Sequence, residues 1–180
     1  AESGYDILYL QQDMREFELY GTVKAVVSVC DSINYILTEE DLEQVFACVN
    51  NYLDPGGLFL FDLKTIYYFR DVCGDCVLAD SREEGSFIWE NSWFEEEQIN
   101  EYDLTLFIRE QSGLYRREQE LHDQRGYEID TVRRILIQAG MEWVSALDAD
   151  TMKEPTESSE RIYIIAREKG KKKQNEKQKG

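Results

Sequence analysis

The fold is decided by two apolar runs, VKAVVSV at residues 23–29 and LFLFDL at residues 58–63, and by the segment that joins them. Near-continuous apolar runs of this length, rich in β-branched and aromatic residues, are typical of parallel strands that are covered on both faces. Between them, TEED at residues 38–41 has the form of a capping box, which predicts the start of a helix. A strand, a helix and a strand in this order predict a βαβ unit with a parallel sheet and a right-handed crossover.

The predicted helix carries one apolar stripe and ends at a sharp turn. Its apolar residues recur at helical spacing and are Leu42, Val45, Phe46, Val49 and Leu53. DPGG at residues 54–57 then ends the helix, because proline cannot continue it and glycine favours a turn.

The residues before the first apolar run predict one more strand. YDILYL at residues 5–10 has a β-type composition, and Gly4 is placed like the glycine that follows the end of a helix. Only residues 1–3 of that helix remain. We therefore expect the chain to begin within a helix and to be part of a longer polypeptide.

The pattern changes in the middle of the chain from α/β to antiparallel β. Alternating segments at residues 86–94, 99–110 and 114–124 are separated by short polar turns. They predict three hairpin-linked strands, which form an antiparallel sheet inserted into the α/β chain.

The α/β pattern returns after this insert. A helix is predicted at residues 130–139, and strands follow at residues 142–147 and 161–167. The predicted division of the chain is an α/β core of residues 1–72 and 125–168, an antiparallel β insert of residues 73–124 and a disordered basic tail of residues 169–180.

The overall charge argues against several classes of partner. The chain has 180 residues with 37 acidic and 20 basic side chains, and its formal net charge is −17. A phosphate backbone is repelled by such a surface, which argues against nucleic acid.

No apolar run approaches the roughly 20 residues of a transmembrane helix, and the first residues do not resemble a secretory signal. We expect a cytoplasmic protein that binds neither nucleic acid nor membrane.

The cysteines do not predict a metal site. Cys30 and Cys48 lie in apolar segments, as reduced core thiols do, and Cys73 and Cys76 form a single CxxC pair. A structural zinc site needs a second pair of ligands, and His122 is the one histidine of the chain. We predict no metal and treat the pair as ordinary loop thiols.

Four stretches carry a resemblance to a known family. QDM at residues 12–14 follows the first predicted strand, VVSVCDSINY at residues 26–35 leaves the second, and LDPGGLFLFD at residues 53–62 turns into the third. With ILIQAGM at residues 135–141, these stretches resemble the second half of the class I S-adenosylmethionine-dependent methyltransferase fold, a seven-stranded sheet that ends in an antiparallel hairpin. The resemblance covers nearly all of residues 5–168 and is nearest to bacterial members with a small β insert before the last helix. It implies a Rossmann-like α/β sheet that lacks the first βαβ unit.

The resemblance implies S-adenosylmethionine as the cofactor and suggests which residues bind it. The implied cofactor-binding residues are Asp13, Met14, Cys30, Asp31 and Ser32. Ligands of open parallel sheets bind at the carboxyl ends of the strands, where the Asp13 carboxylate can accept a hydrogen bond from the adenine amine while Met14 packs on the ring. The alternative is structural: Asp13 as a cap, Met14 as core, and Asp31 with Ser32 as turn formers.

The sequence also departs from the family. It contains no strand followed by a G-x-G-x-G loop and no second strand that ends in an acid for the ribose hydroxyls. That loop gives close backbone approach to the cofactor. We therefore expect this chain alone to bind S-adenosylmethionine weakly or not at all, and to be inactive alone. The sheet edge left open would also favour self-association.

The acceptor side offers candidates but no assigned catalytic residue. Candidate groups are Tyr35, Glu90, Tyr115, Arg116 and His122, with the aromatic residues Tyr67, Tyr68, Phe69, Trp89 and Trp93 as possible pocket walls or core. His122 is the natural base because imidazole titrates near neutral pH, although it alternates within a strand and can equally be a solvated residue.

Three functions are compatible with these patterns. The first is a methyltransferase that acts on a small molecule. The second is a non-catalytic interaction module derived from a methyltransferase, whose β insert binds a partner. A nicotinamide oxidoreductase ranks last, because the chain has no motif for it.

Overall fold

The computed structural model describes residues 7–171, which contain two four-stranded sheets and two α-helices. The strands are β1 (Val23–Ser28), β2 (Leu53–Lys64), β3 (Val77–Ser81), β4 (Gly85–Phe94), β5 (Ile99–Arg109), β6 (Tyr115–Arg125), β7 (Met141–Asp148) and β8 (Arg161–Glu168). The helices are α1 (Glu39–Tyr52) and α2 (Ile129–Gln138). Two shorter helical segments are the 3-10 turn Ser32–Tyr35 and the π-helical turn Tyr68–Cys73.

The first sheet, here the core sheet, has the strand order β1-β2-β8-β7. β1 and β2 are parallel, and α1 connects them. β8 lies antiparallel between β2 and β7, so the sheet ends in the predicted antiparallel pair. The Rossmann-like α/β architecture is therefore confirmed.

The α1 helix forms as its sequence predicts. The Asp41 backbone N–H donates to Thr38 Oγ1 at 3.1 Å, which satisfies one of the free donors at the helix start. Its buried side chains are Leu42, Val45, Phe46 and Val49. Phe46 packs at 5.4 Å, ring centre to ring centre, from Phe61 of β2. Full burial of each such side chain contributes about 1.5–3 kcal/mol, so this apolar face holds α1 to the core sheet.

The α2 helix packs beside α1 and ends at a glycine. Val132, Ile135 and Leu136 are buried in the same apolar cluster as the α1 stripe. Gly140 follows with φ 82°, a left-handed conformation that ends helices and favours glycine.

The second sheet, here the insert sheet, is antiparallel with the order β3-β4-β5-β6. The three predicted strands are confirmed as β4, β5 and β6. β3 was not predicted, because all five of its residues are exposed and an edge strand of this kind shows no apolar alternation. The π-helical turn was also missed, since six residues are too few for a helical period. The division of the chain into core, insert and tail stays a prediction.

Two expectations for the first third of the chain are wrong. The strand predicted at residues 5–10 is absent from its described part, because residues 7–10 have no strand conformation. β1 is not covered on both faces by residues 7–171, since Val27 is 62% exposed and Val29 is 44% exposed. Among residues 7–171, β1 is an edge strand with no strand paired on its outer side, so residues 7–10 add no strand to the core sheet. The exposed valines of this segment are side chains that no described residue covers.

Residues 7–171 do not test three further predictions. The helix end predicted at residues 1–4 falls outside the described residues, as does most of the predicted tail from residue 172 onward. Self-association through the open edge of β1 stays a prediction. No helix within residues 7–171 has the length and apolar character to cross a membrane.

The first residues of β2, which include residues 54–57 where a turn was predicted, supply a test of the fold. A Cβ atom on Gly57 would lie 3.0 Å from the carbonyl oxygens of both Asp54 and Lys24, and backbone atoms cannot move aside as a side-chain end can. We expect Gly57→Ala to lower the free energy of unfolding by about 1–3 kcal/mol, measured by urea denaturation. Gly21→Ala is the matched control, since nothing lies within 4 Å of its Cβ position. Equal stability of the two variants would contradict this account of the turn.

Candidate functional site

The loop after β1 adopts a constrained conformation at the carboxyl edge of the core sheet. Cys30 and Asp31 have φ angles of 66° and 55°, which side chains other than glycine rarely adopt. The loop is fixed on both sides: Ser32 Oγ donates to the Val29 carbonyl at 2.9 Å, and the Asp31 N–H donates to Asp62 Oδ1 at 3.0 Å. Such conformations persist only where surrounding contacts enforce them, and they cluster at functional sites.

A cluster of four charges lies under this loop. Asp31 Oδ1 is 2.6 Å from Arg161 Nη2, and Asp31 Oδ2 is 3.3 Å from Lys64 Nζ. Arg161 also forms an ion pair with Asp62, whose side chain is only 3% exposed. Two acids thus face two bases, which is how buried charges are stabilised.

These contacts set the ionisation of Asp31. Burial alone would raise the pKa of the Asp31 carboxyl, but the positive charges of Lys64 and Arg161 outweigh burial and hold this pKa below its usual value. Asp31 is therefore ionised at neutral pH, and its carboxylate is already engaged by cations of the chain. The Asp31 side chain thus anchors the backbone of the loop after β1.

Asn34 ties this loop to both sheets. Its side chain is fully buried, and its Nδ2 donates to the carbonyl oxygens of Lys64 at 3.0 Å and Arg125 at 2.8 Å. Its Oδ1 accepts from the Lys64 N–H at 2.9 Å. Lys64 is the last residue of β2 and Arg125 is the last of β6, so one side chain fixes where the two sheets meet.

Asp13 lies at the same end of the molecule. Arg15 binds the Asp13 carboxylate at 2.6 Å and reaches Asp41, in the first turn of α1, at 3.3 Å. Since α1 begins at the carboxyl edge of the core sheet, residues 13–15 are held near that edge. Met14 packs partly buried against the main apolar cluster.

The Asp13 carboxylate keeps room for one more donor. Hydrogen bonds from Arg15 lower the pKa of Asp13 to about 2, so the group is ionised. A carboxylate has about four acceptor positions. Arg15 occupies three of them through its backbone N–H, Nε and Nη2. One position on Oδ2 is left, which can accept from one N–H of an amine group.

A cavity of about 180 Å³, here the insert cavity, lies where the insert sheet faces the loop after β1. Its lining residues are Asp31, Tyr35, Lys64, Trp89, Tyr102, Leu104, His122 and Gln124. The Lys64 ammonium lies 4.6 Å from the centre of the Tyr68 ring, beside the same wall. Aromatic and aliphatic walls with a few polar groups are typical of small-molecule sites.

Two of the acceptor-side candidates meet in this cavity. Tyr35 Oη lies 3.3 Å from His122 Nδ1, and their rings pack edge to face with centres 5.9 Å apart. Burial and the nearby Asp31 carboxylate raise the pKa of Tyr35, so its hydroxyl is protonated at neutral pH.

The other three acceptor-side candidates, Glu90, Tyr115 and Arg116, do not line the insert cavity. Glu90 follows Trp89 in β4 and therefore projects from the opposite face of the insert sheet. Tyr115 and Arg116 begin β6, and seven residues of strand, or roughly 24 Å, separate Tyr115 from His122. Of the proposed aromatic walls, Trp89 lines the cavity, whereas Trp93 stacks on Phe69 with ring centres 6.0 Å apart.

Sequence reasoning missed Lys64, Arg161, Gln124 and the role of Asn34. Asp62 and Lys64 gave a usable signal, because two charged residues at the end of a buried apolar strand need partners. Arg161 and Gln124 are 97 and 60 residues away from Lys64 in sequence, and no local pattern connects them.

The CxxC pair packs beside the insert cavity, since Cys73 and Cys76 lie in one apolar cluster with Tyr102 and Trp89 of its lining. Burial, with the neighbouring Cys76, raises the pKa of the Cys73 thiol to about 11, so it is protonated at neutral pH. Within residues 7–171, no cluster of three or more histidine, cysteine or acidic side chains is arranged to hold a metal ion.

Two curated proteins are similar to this chain over most of its length, although no protein-family model matches it. A protein of Geobacillus sp. (strain WCH70) is 34% identical over 161 residues, which cover 89% of this chain and 65% of that protein. YqeM of Bacillus subtilis (strain 168) is 33% identical over 167 residues, covering 92% and 67%. Both carry the name "putative methyltransferase". The chain spans about two thirds of the length of these relatives.

A solved structure shares the fold. It is an S-adenosylmethionine-dependent methyltransferase from Clostridium acetobutylicum ATCC 824, with a TM-score of 0.84 and 24% sequence identity. The superposition covers 93% of this chain and 67% of that one. At this identity the likeness concerns the fold.

Replacement of Asn34 tests whether its amide joins the end of β2 to the end of β6. Asn34→Ala leaves the Lys64 N–H and the carbonyl of Arg125 without their buried partner, at about 1–3 kcal/mol each. We expect the free energy of unfolding to fall by about 2–5 kcal/mol in urea denaturation. Asn51→Ala, on the exposed side of α1, is the control. A loss below about 1 kcal/mol would show that Asn34 does not hold the sheets together.

The Asp31 ion pairs predict a pH dependence of stability. Because the folded-state pKa of Asp31 lies below the ordinary value of 3.8, the pairs stabilise the fold above that pH and are lost as pH falls through the lowered pKa. Asp31→Asn should therefore be about 1–3 kcal/mol less stable than the wild type at pH 7, and the gap should close as the pH falls through the lowered pKa of Asp31. A gap that persists at low pH would exclude this cause. Asp71→Asn, in an exposed pair with Arg70, is the control.

Proposed function

The chain belongs to the class I S-adenosylmethionine-dependent methyltransferase family, and we propose that it takes part in methyl transfer from S-adenosylmethionine to a small-molecule acceptor. One observation carries the proposal: Asp31 belongs both to the constrained loop after β1 and to the lining of the insert cavity. A nucleoside held at that loop and an acceptor held in the cavity would be direct neighbours. This is the arrangement that a transfer between two bound molecules requires.

The residues present fit part of the cofactor. We propose that Asp13 accepts from the adenine amine through its free acceptor position and that Met14 packs beside the ring. Cys30, Asp31 and Ser32 would border the nucleoside through the left-handed loop. When bound, S-adenosylmethionine supplies an activated methyl group. The chain's own residues orient the two partners and exclude water between them.

Several properties of the chain limit the acceptor. The insert cavity of about 180 Å³ is smaller than the roughly 300–1,000 Å³ of sites for drug-sized ligands, so it suits a compact molecule or the reacting end of a larger one. The net charge of −17 disfavours nucleic acid.

We propose that the protein acts in the cytoplasm. Pairing of two copies through the open β1 edge is a further proposal, which sedimentation velocity tests.

Calorimetric titration of the full-length gene product with S-adenosylmethionine tests the cofactor proposal. We expect micromolar affinity, and about tenfold weaker binding for Asp13→Ala, which corresponds to the loss of one charge-assisted hydrogen bond of about 1.4 kcal/mol. Asp71→Ala removes another exposed acid that is paired with an arginine and should bind as the wild type does.

The same titration distinguishes the second candidate function, a non-catalytic interaction module whose insert sheet binds a partner. The exposed large hydrophobic residues of that sheet, Val77, Leu78, Tyr115 and Leu121 among them, favour this alternative. Absence of binding heat in the full-length product would overturn the methyltransferase proposal in favour of the module.

A further inference from the structure

Three polar side chains form a hydrogen-bonded chain along the wall of the insert cavity. Tyr35 lies in the Ser32–Tyr35 turn, one helical turn from the loop that we propose to border the cofactor. Its Oη is 3.3 Å from His122 Nδ1. On the other side of the imidazole, His122 Nε2 is 3.2 Å from Glu120 Oε2. The chain thus runs from the rim of the core sheet across to the insert sheet.

The chemistry of these groups fixes where the protons are. A carboxylate only accepts hydrogen bonds, so the Nε2 of a neutral His122 carries the proton and donates it to Glu120. His122 Nδ1 then has a free lone pair and accepts from the Tyr35 hydroxyl. The imidazole can take the phenolic proton, because the resulting imidazolium would face the Glu120 carboxylate.

The insert sheet sets this geometry by its register. His122 lies opposite Tyr102, and Glu120 lies opposite Leu104, so both project to the face that lines the cavity. Trp89 pairs with Leu104 from the other side and completes the same face. Glu118 lies on this face too, but it is occupied by an ion pair with Arg116.

We infer that the insert cavity binds the methyl acceptor and that Tyr35 is the catalytic residue that receives its proton, with His122 and Glu120 as positioning residues. The inference rests on the proposed function. The acceptor nucleophile, an amine or hydroxyl, forms a bond to the methyl carbon as the carbon–sulfur bond breaks, and that electron pair stays on sulfur. The acceptor's proton passes to Tyr35 Oη, and the tyrosine's own proton passes to His122 Nδ1.

The charges around the cavity define the class of acceptor. Asp31 is balanced by Lys64 and Arg161, so the ammonium of the lining is already engaged. Glu120 faces only the His122 imidazole, which does not balance its charge when it is neutral, so an acidic group of the acceptor next to Glu120 would be repelled. The acceptor is therefore a compact molecule without acidic groups and with an N–H or O–H nucleophile.

The first experiment uses the nitrogen resonances of the one histidine in the 180-residue chain. In long-range ¹H–¹⁵N spectra, we expect Tyr35→Phe to move the Nδ1 signal and Glu120→Gln to move the Nε2 signal. Glu118→Gln, on the same face and engaged with Arg116, should move neither. An unchanged Nδ1 signal in Tyr35→Phe overturns the inference without bearing on cofactor binding.

The second experiment tests occupancy of the cavity. D-glucosamine and myo-inositol serve as amine and hydroxyl probes, and saturable movement of the His122 ring signals is the expected result. Leu104→Trp fills the cavity and should abolish this movement. Leu121→Trp, beside His122 but on the opposite face, should retain it. Circular dichroism checks that both variants fold, and movement that survives Leu104→Trp overturns the site.

The third experiment measures methyl transfer to these probes by the full-length gene product with radiolabelled S-adenosylmethionine. We expect Tyr35→Phe and His122→Gln to lower kcat by about 100-fold or more with little change in KM, since a positioned proton acceptor typically contributes about 10²–10⁴-fold. Glu118→Gln should keep the wild-type kcat. Unimpaired transfer in both variants overturns the inference and leaves the proposed function standing. Absence of S-adenosylmethionine binding overturns the proposed function itself, whereas the nitrogen signals report on the hydrogen-bonded chain in either case.

Discussion

The position of the site depends on the buried side chain of Asn34. A primary amide is the one neutral side-chain group that both donates twice and accepts, so it can satisfy backbone groups of two strands that do not pair with each other. Here it joins the end of β2 to the end of β6 and holds the turn after β1 between them. The insert sheet therefore has a fixed place relative to the core sheet, and the cavity between them has fixed walls.

The charge cluster under the loop lies at the edge of the core sheet that Asn34 joins to the insert sheet. Replacing a whole buried ion pair by apolar residues is often neutral, because desolvation offsets most of its attraction, whereas removing one partner is costly. The pairs here also have a geometric effect: Arg161, at the start of β8, binds Asp31 and Asp62 together, so the carboxyl ends of β1 and β2 meet one cation. A chain with a net charge of −17 thereby keeps two acids close together at this edge of the core sheet.

The sequence predicted those parts of the fold that local patterns encode. Four predictions were confirmed: the capping box, the apolar stripe of α1, the two closing strands and the family resemblance. Helices and strands are predictable in this way because their apolar periods depend on residues that are close in sequence. β3 and the π-helical turn lack such a period. Lys64, Arg161 and Gln124 reach the site through strand register across 60 or more residues, which one sequence does not reveal. The pairing of Tyr35 with His122 has the same origin, although each was a candidate by its chemistry.

The left-handed residues Cys30 and Asp31 show how the buried contacts of Asp62 and Asn34 act on the loop after β1. Each such conformation costs about 1–3 kcal/mol, and the chain would relax if the loop were held at one end only. The Asp31 N–H bond to Asp62 fixes one end, and Asn34 fixes the other, so the strain is retained in the free protein. A loop that is already in its strained form does not have to be ordered when a ligand binds, and the ordering cost is absent from the binding free energy. The buried contacts that stabilise this edge of the fold are therefore the same contacts that prepare it for a ligand.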